Sequence, residues 1–120
     1  MPVKRKTGPQ GRCDALCGAL VRSRGACERC GKTTGLQWAH IVKRNYAHTR
    51  TDETNAWCLC GTCHYEVDNF ADQFMALVIR TIGRTEYERL VRKAKDGVRI
   101  KFDWKAELIR LKAKRAGEAA

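Results

Sequence analysis

NAWCLCGTCH, residues 55–64, decides how this chain is read. Cys60 and Cys63 frame two residues, and His64 follows at once. Alone, CGTCH fits a c-type haem attachment. Upstream, CERC at 27–30 repeats the same spacing. A C-x-x-C knuckle lets two sulfurs reach one tetrahedral ion, and two knuckles make a four-thiolate zinc site. Cys27, Cys30, Cys60 and Cys63 are therefore the expected ligands of a structural zinc. The 29 residues between the knuckles exceed a simple ribbon, so the insert must carry structure of its own.

The N-terminus argues against haem. MPVKRKTGPQGR is basic and polar, with no apolar signal core behind it. No apolar run is long enough to span a bilayer, so no membrane partner is expected and the expected compartment is the cytoplasm. In a reducing cytoplasm, seven cysteines point to metal or buried thiols rather than disulfides. Cys13 and Cys17 share the apolar face of a short helix over 13–25 and are read as buried thiols. Alternation puts Cys58 on the face of Cys60, as a buried neighbour or spare ligand.

Outward from the knuckles, 36–41 and 55–60 read as strands joined by a long polar loop over 42–54. A helix is expected to start near Cys63 and run to Gly83, with Val67, Phe70, Phe74, Leu77 and Val78 inward. Thr85 and Glu88 form a capping-box pattern for a helix over 85–95, with Tyr87, Leu90 and Val91 inward. Asp103 is placed to cap a last helix with Trp104, Leu108 and Leu111 along one stripe. The expected fold class is α+β, divided into a flexible basic arm (1–11), a central domain (12–95) and a basic helical extension (96–120).

Lys and Arg number 24 against 13 Asp and Glu, a net charge of +11 on 120 residues. Such an excess on a small chain points to a polyanion, first of all nucleic acid. Lys105, Arg110, Lys112, Lys114 and Arg115 form a basic face on the last helix, read equally well as solvated or as phosphate-contacting.

If zinc takes all four knuckle cysteines, His64 is a free imidazole at a helix start. His40 ends the first strand and Asn55 begins the second. A hairpin with the helix across it would bring His40, Asn55 and His64 together. That order, set inside CERC and CGTCH, resembles the zinc-containing HNH endonucleases, whose core is the ββα-metal (His-Me finger) motif. LQWAHIVKR, TRTDETNAWCLCGTCH and IGRTEYERLVRKA are similar to segments of phage and prophage recombination nucleases of the NinG/Rap type. The likeness spans roughly residues 15–80 and is specific in order, spacing and flanking cysteines.

The resemblance implies a metal-dependent DNA endonuclease. His40 would take a proton from water, and the hydroxide would attack phosphorus. Mg²⁺ or Mn²⁺ would stabilise the transition state, with His64 as a ligand. Asn55 would hold the loop and orient the His40 ring. Many members place a metal ligand just before the catalytic histidine, where this chain has Ala39. Asp68, one helical turn after His64, is the expected replacement. Glu66 points elsewhere, and His48 lies in the loop within swinging distance. Arg44 and Arg50 flank the site as candidate phosphate clamps. DNA is the implied partner, with phage packaging or recombination proteins beside it. Symmetric cutting of a junction would require a homodimer. A zinc-stapled nucleic-acid-binding module without catalysis is the competing reading.

Overall fold

The strand AWCLC, residues 56–60, is buried at every position, and this sets the architecture. A half-exposed strand would alternate polar and apolar, but one covered on both faces does not. In the computed structural model, which describes residues 8–119, helices cover both faces of a two-stranded sheet. The elements are α1 (Pro9–Arg22), β1 (Leu36–His40), α2 (Ala47–Arg50), β2 (Ala56–Cys60), α3 (Gly61–Asn69), α4 (Ala71–Thr81), α5 (Gly83–Asp96) and α6 (Trp104–Ala119). The fold is α+β. None of its helices is long and apolar enough to cross a membrane, among the described residues.

β1 and β2 pair antiparallel, with Leu36 opposite Cys60 and His40 opposite Ala56. On one face, Ala56 and Cys58 pack with Cys13, Cys17 and Val21 of α1 and Leu111 of α6. On the other, Ala39, Trp57 and Leu59 pack with Val67 of α3 and Leu77 and Val78 of α4. The Trp57 indole N–H donates to Thr81 Oγ1 at 2.9 Å.

α1 starts at Pro9, four residues before the expected start at Cys13. Pro suits the first helical turn, where its missing N–H has no partner to lose. Residues 9–11 of the expected arm are thus helical, and its first seven residues lie outside the described ones. The helix stops before Gly25, whose φ of +87° suits glycine.

The single helix expected over 63–83 is two helices. Phe70 is extended (φ −124°, ψ 108°) and separates α3 from α4. A straight helix would put Val67 and Leu77 about 15 Å apart along its axis. With the extended Phe70 between them, both side chains enter the same apolar cluster from separate helices. Phe70, expected inward, is 48% exposed. The capping box is also not formed: α5 begins at Gly83, and Thr85 lies inside it. The cap at Asp103 does form, its carboxylate accepting from the Ala106 N–H at 3.0 Å.

The loop between the strands contains α2 and a 3-10 turn, Glu53–Asn55, that places Asn55 just before β2. The last two helices fasten this loop. Lys93 of α5 meets Asp52 at 2.6 Å. On α6, Glu107 accepts from Thr51, and Arg110 bonds Glu53 and Glu107, each at 2.6 Å. Segment 96–119 therefore packs onto the same core as the domain it follows. Its basic face is exposed throughout but partly neutralised: Arg110 and Lys114 both pair with Glu53, whereas Lys105, Lys112 and Arg115 form no ion pair among the described residues.

Candidate functional site

The four knuckle cysteines converge. Cys60 ends β2, Cys63 lies in the first turn of α3, and Cys27 and Cys30 sit on the irregular segment before β1. Their four sulfurs lie within 4.8 Å of one another, with Cys30 and Cys60 3.7 Å apart. Zinc–thiolate bonds of about 2.3 Å give a tetrahedral edge of about 3.8 Å, so this donor set fits a tetrahedral ion. The first knuckle is laid along β2 by two bonds: the Glu28 N–H donates to Cys58 O, and the Cys58 N–H to the Glu28 carboxylate. Gly31 closes it, at φ +83°, by donating to Cys27 O.

The electrostatics prepare this cluster for a cation. Burial would raise the Cys27 thiol, but backbone N–H groups of Cys60, Cys30 and Arg29 outweigh it and bring it down to about 6. The Cys63 N–H similarly lowers Cys60. Cys63 goes the other way, pushed up first by burial, as another thiolate in the group requires a positive charge beside it. Cys58 does not serve as a spare ligand. It is fully buried against Cys13 and Cys17, on the side of the sheet away from Cys27 and Cys63. Burial lifts Cys13 to about 11 and Cys17 to about 12, as expected of inert core thiols.

Beyond the cluster opens a polar cleft of about 780 Å³, lined by His40, Arg44, Arg50, His64 and Asp68 together with Asp14, Trp38, Lys43 and Asn45. The His40 Nε2 lies 3.0 Å from the Arg50 carbonyl oxygen. A carbonyl only accepts, so Nε2 carries the proton and Nδ1 keeps a lone pair. The ring packs against Trp38, centroids 4.4 Å apart. Burial, reinforced by the Arg50 and Arg44 charges, lowers its pKa below the ordinary 6.5. His40 is therefore a neutral base at neutral pH.

His64 has both ring nitrogens engaged within the cleft. Its Nδ1 lies 2.8 Å from Gln37 Oε1 and its Nε2 lies 3.2 Å from Asp68 Oδ2, one helical turn on. With Nε2 deprotonated, this pair offers one nitrogen and one oxygen donor that could share a cation.

Asn55 does one of its two expected jobs. Its carbonyl accepts from the Val42 N–H at 2.7 Å, and its amide donates to Val42 O and Thr49 O at 3.0 and 3.1 Å. These bonds pin the loop and occupy the whole amide. The His40 ring is oriented by the Arg50 carbonyl instead. Arg50 is also differently engaged than expected: its Nε and Nη2 grip both oxygens of Asp14 at 2.8 and 2.9 Å, and its Nη1 reaches Arg44 O at 3.2 Å. Arg44 is exposed at the cleft margin.

The other expected candidates sit elsewhere. His48 bonds the Ile100 carbonyl and packs edge-on against Phe102. Glu66 pairs with Arg29 beside the cysteine cluster. Ala39 is fully buried opposite Trp57, so that position faces the core rather than the cleft. Asp14, Gln37 and Trp38 were not anticipated from the sequence. Asp14 had one visible signal, as the sole acid among the first 27 residues. Trp38 had another, two residues before His40 on the same strand face. No family model, no curated protein and no solved structure matches this chain.

Proposed function

We propose that this chain is a metal-dependent nuclease that hydrolyses phosphodiester bonds in DNA. More narrowly, it reads as an endonuclease of the HNH type, with a ββα-metal core formed by β1, β2 and α3, of the phage or prophage recombination kind, acting inside the bacterial host. The observation that carries the reading is the pairing, in one basic cleft, of a neutral His40 with a free Nδ1 and a His64–Asp68 pair whose donors converge.

Each residue then has a task. His40 Nδ1 accepts the proton of the attacking water as its oxygen bonds to phosphorus and the 3′ oxygen leaves. The Arg50 carbonyl holds the ring in the tautomer that makes this possible. Asn55 fixes the loop on which that carbonyl sits. Arg44, Lys43 and the unengaged donors of Arg50 attract the phosphate backbone. His64 Nε2 and the Asp68 carboxylate would hold Mg²⁺ or Mn²⁺, which supplies positive charge at the phosphate and the leaving oxygen. Cys27, Cys30, Cys60 and Cys63 would hold zinc, stapling the start of α3 to the first knuckle so that His64 is rigidly placed.

The binding-module alternative draws on Ala39, whose burial leaves, among the described residues, His64 and Asp68 as the two paired donors for a second cation. Supercoiled plasmid separates the two readings. Protein with Mg²⁺ or Mn²⁺ should give nicked or linear product, EDTA should stop it, and excess Mg²⁺ should restore it. Asp68→Ala should cut far more slowly while retaining DNA binding in a gel-shift assay. Tight binding with no cutting of plasmid or branched DNA under any metal would favour the binding module.

A further inference from the structure

The two contacts of the His40 ring both lead to the same helix. Its edge bonds the Arg50 carbonyl and its side packs on Trp38. Arg50 is gripped through two bonds by Asp14. Trp38 lies against Gly18: a β-carbon there would stand 3.2 Å from Trp38 Cε3, and 2.9 Å from the flexible end of Arg22. Asp14 and Gly18 are four residues apart on α1, so they occupy one face of it, a turn apart. α1 belongs neither to the hairpin nor to α3.

We infer that α1 is a positioning element for His40, with Asp14 acting through Arg50 and Gly18 acting through Trp38. This rests on the nuclease reading for its catalytic consequence, but not for its structural one.

The physical argument is one of rotational freedom. An imidazole on a strand end can turn about two side-chain bonds and can exchange tautomers. The Arg50 carbonyl selects one tautomer only while residue 50 stays in place. Residue 50 ends α2, a helix of four residues with no side-chain cap, which has little stability of its own. The guanidinium anchors it at both ends, to Asp14 across the cleft and to Arg44 O within the loop. Gly18 leaves room for the Trp38 ring, which packs on His40 with centroids 4.4 Å apart and a tilt of 40°, and hinders rotation of the imidazole from the other side. A larger residue at 18 would crowd Trp38 and so disturb its packing on the imidazole.

Asp14 is thus a positioning residue, and its test must read the ring rather than the fold alone. Nitrogen-15 spectra of the histidine side chains report the tautomer directly, with zinc-loaded protein at neutral pH. Wild type should show His40 in the Nε2–H form. Asp14→Asn, which keeps the shape and loses the charge, should give a mixture of tautomers, and Asp14→Glu should recover most of the wild-type form. Gly18→Ala should perturb the same signal independently, and carries the test if Asp14→Asn does not fold. On plasmid, Asp14→Asn should lower kcat about tenfold or more with little change in KM, as for a misplaced catalytic group.

A wild-type tautomer and unchanged kcat in both Asp14→Asn and Gly18→Ala would overturn the inference, even if their melting temperatures fell. Absence of plasmid cutting by wild type would count against the nuclease reading alone, because the tautomer measurement stands without it.

Discussion

The two ends of the β1–β2 hairpin are built on different principles. At one end, where Leu36 faces Cys60, four thiols from two short segments meet at a point. At the other, where His40 faces Ala56, the connecting loop is held by partners scattered along the chain: Asp14, Lys93, Glu107 and Arg110. The first end relies on one strong, local device. The second relies on many modest bonds, each dependent on a helix arriving from elsewhere. Rigidity at the metal end places His64, and accumulated bonding at the loop end places His40.

The largest effect should come from the metal end. Removing the proposed zinc by chelation, or one ligand by Cys63→Ser, should cost on the order of 10 kcal/mol and abolish the cooperative fold. Metal analysis should find one zinc per chain in wild type, and circular dichroism should report the collapse. A cooperative melt unchanged after complete zinc removal would erase the contrast between the two ends.

At the loop end the expected losses are smaller and graded. Asn55→Ala strands the Val42 N–H and two buried carbonyls, so urea unfolding should show a loss of about 3 kcal/mol. Glu107→Gln replaces a buried acceptor of charged bonds and should cost about 2 kcal/mol. Its pH dependence has a defined sign. Burial alone would raise the Glu107 pKa, but Arg110 and Thr51 lower it below 4.5 in the folded state. The unfolded state then binds the proton more readily, so this stability is fully present above pH 4.5 and is lost as pH falls through the folded value. Glu107→Gln should flatten that part of the acid-unfolding curve. Smallest should be Lys93→Ala, which removes a partly exposed ion pair and should cost less than about 1 kcal/mol.

The same contrast explains what the sequence made legible. Cys27, Cys30, Cys60 and Cys63 announce themselves because ligand spacing is a local property. The two strands did likewise, as short apolar runs on either side of the polar loop. Phe70 looked like one more apolar position in a long helix, because the bend there answers to where Val67 and Leu77 must go in three dimensions. The Thr85 capping box was a valid local pattern that the turn at Gly83 pre-empted. Asp14 and Arg50 are 36 residues apart, and Thr51 and Glu107 are 56 apart. Nothing in either segment alone marks those pairings. Asn55, read as the first residue of the second strand, lies in the turn just before it; it pins the loop as expected, while the ring it was expected to orient proved to be held by the Arg50 carbonyl.

His40→Ala tests the central claim most directly. The substitution removes a side chain at the edge of the cleft and leaves the cysteine cluster and Asn55 untouched. Plasmid cleavage by the zinc-loaded variant should fall by at least a hundredfold, as for loss of a general base. Its zinc content and melting temperature should stay close to wild type. Above pH 6.5 the wild-type rate should be level, because burial holds the His40 pKa beneath that value. Metal-dependent cutting that persists at the wild-type rate in His40→Ala would contradict the account.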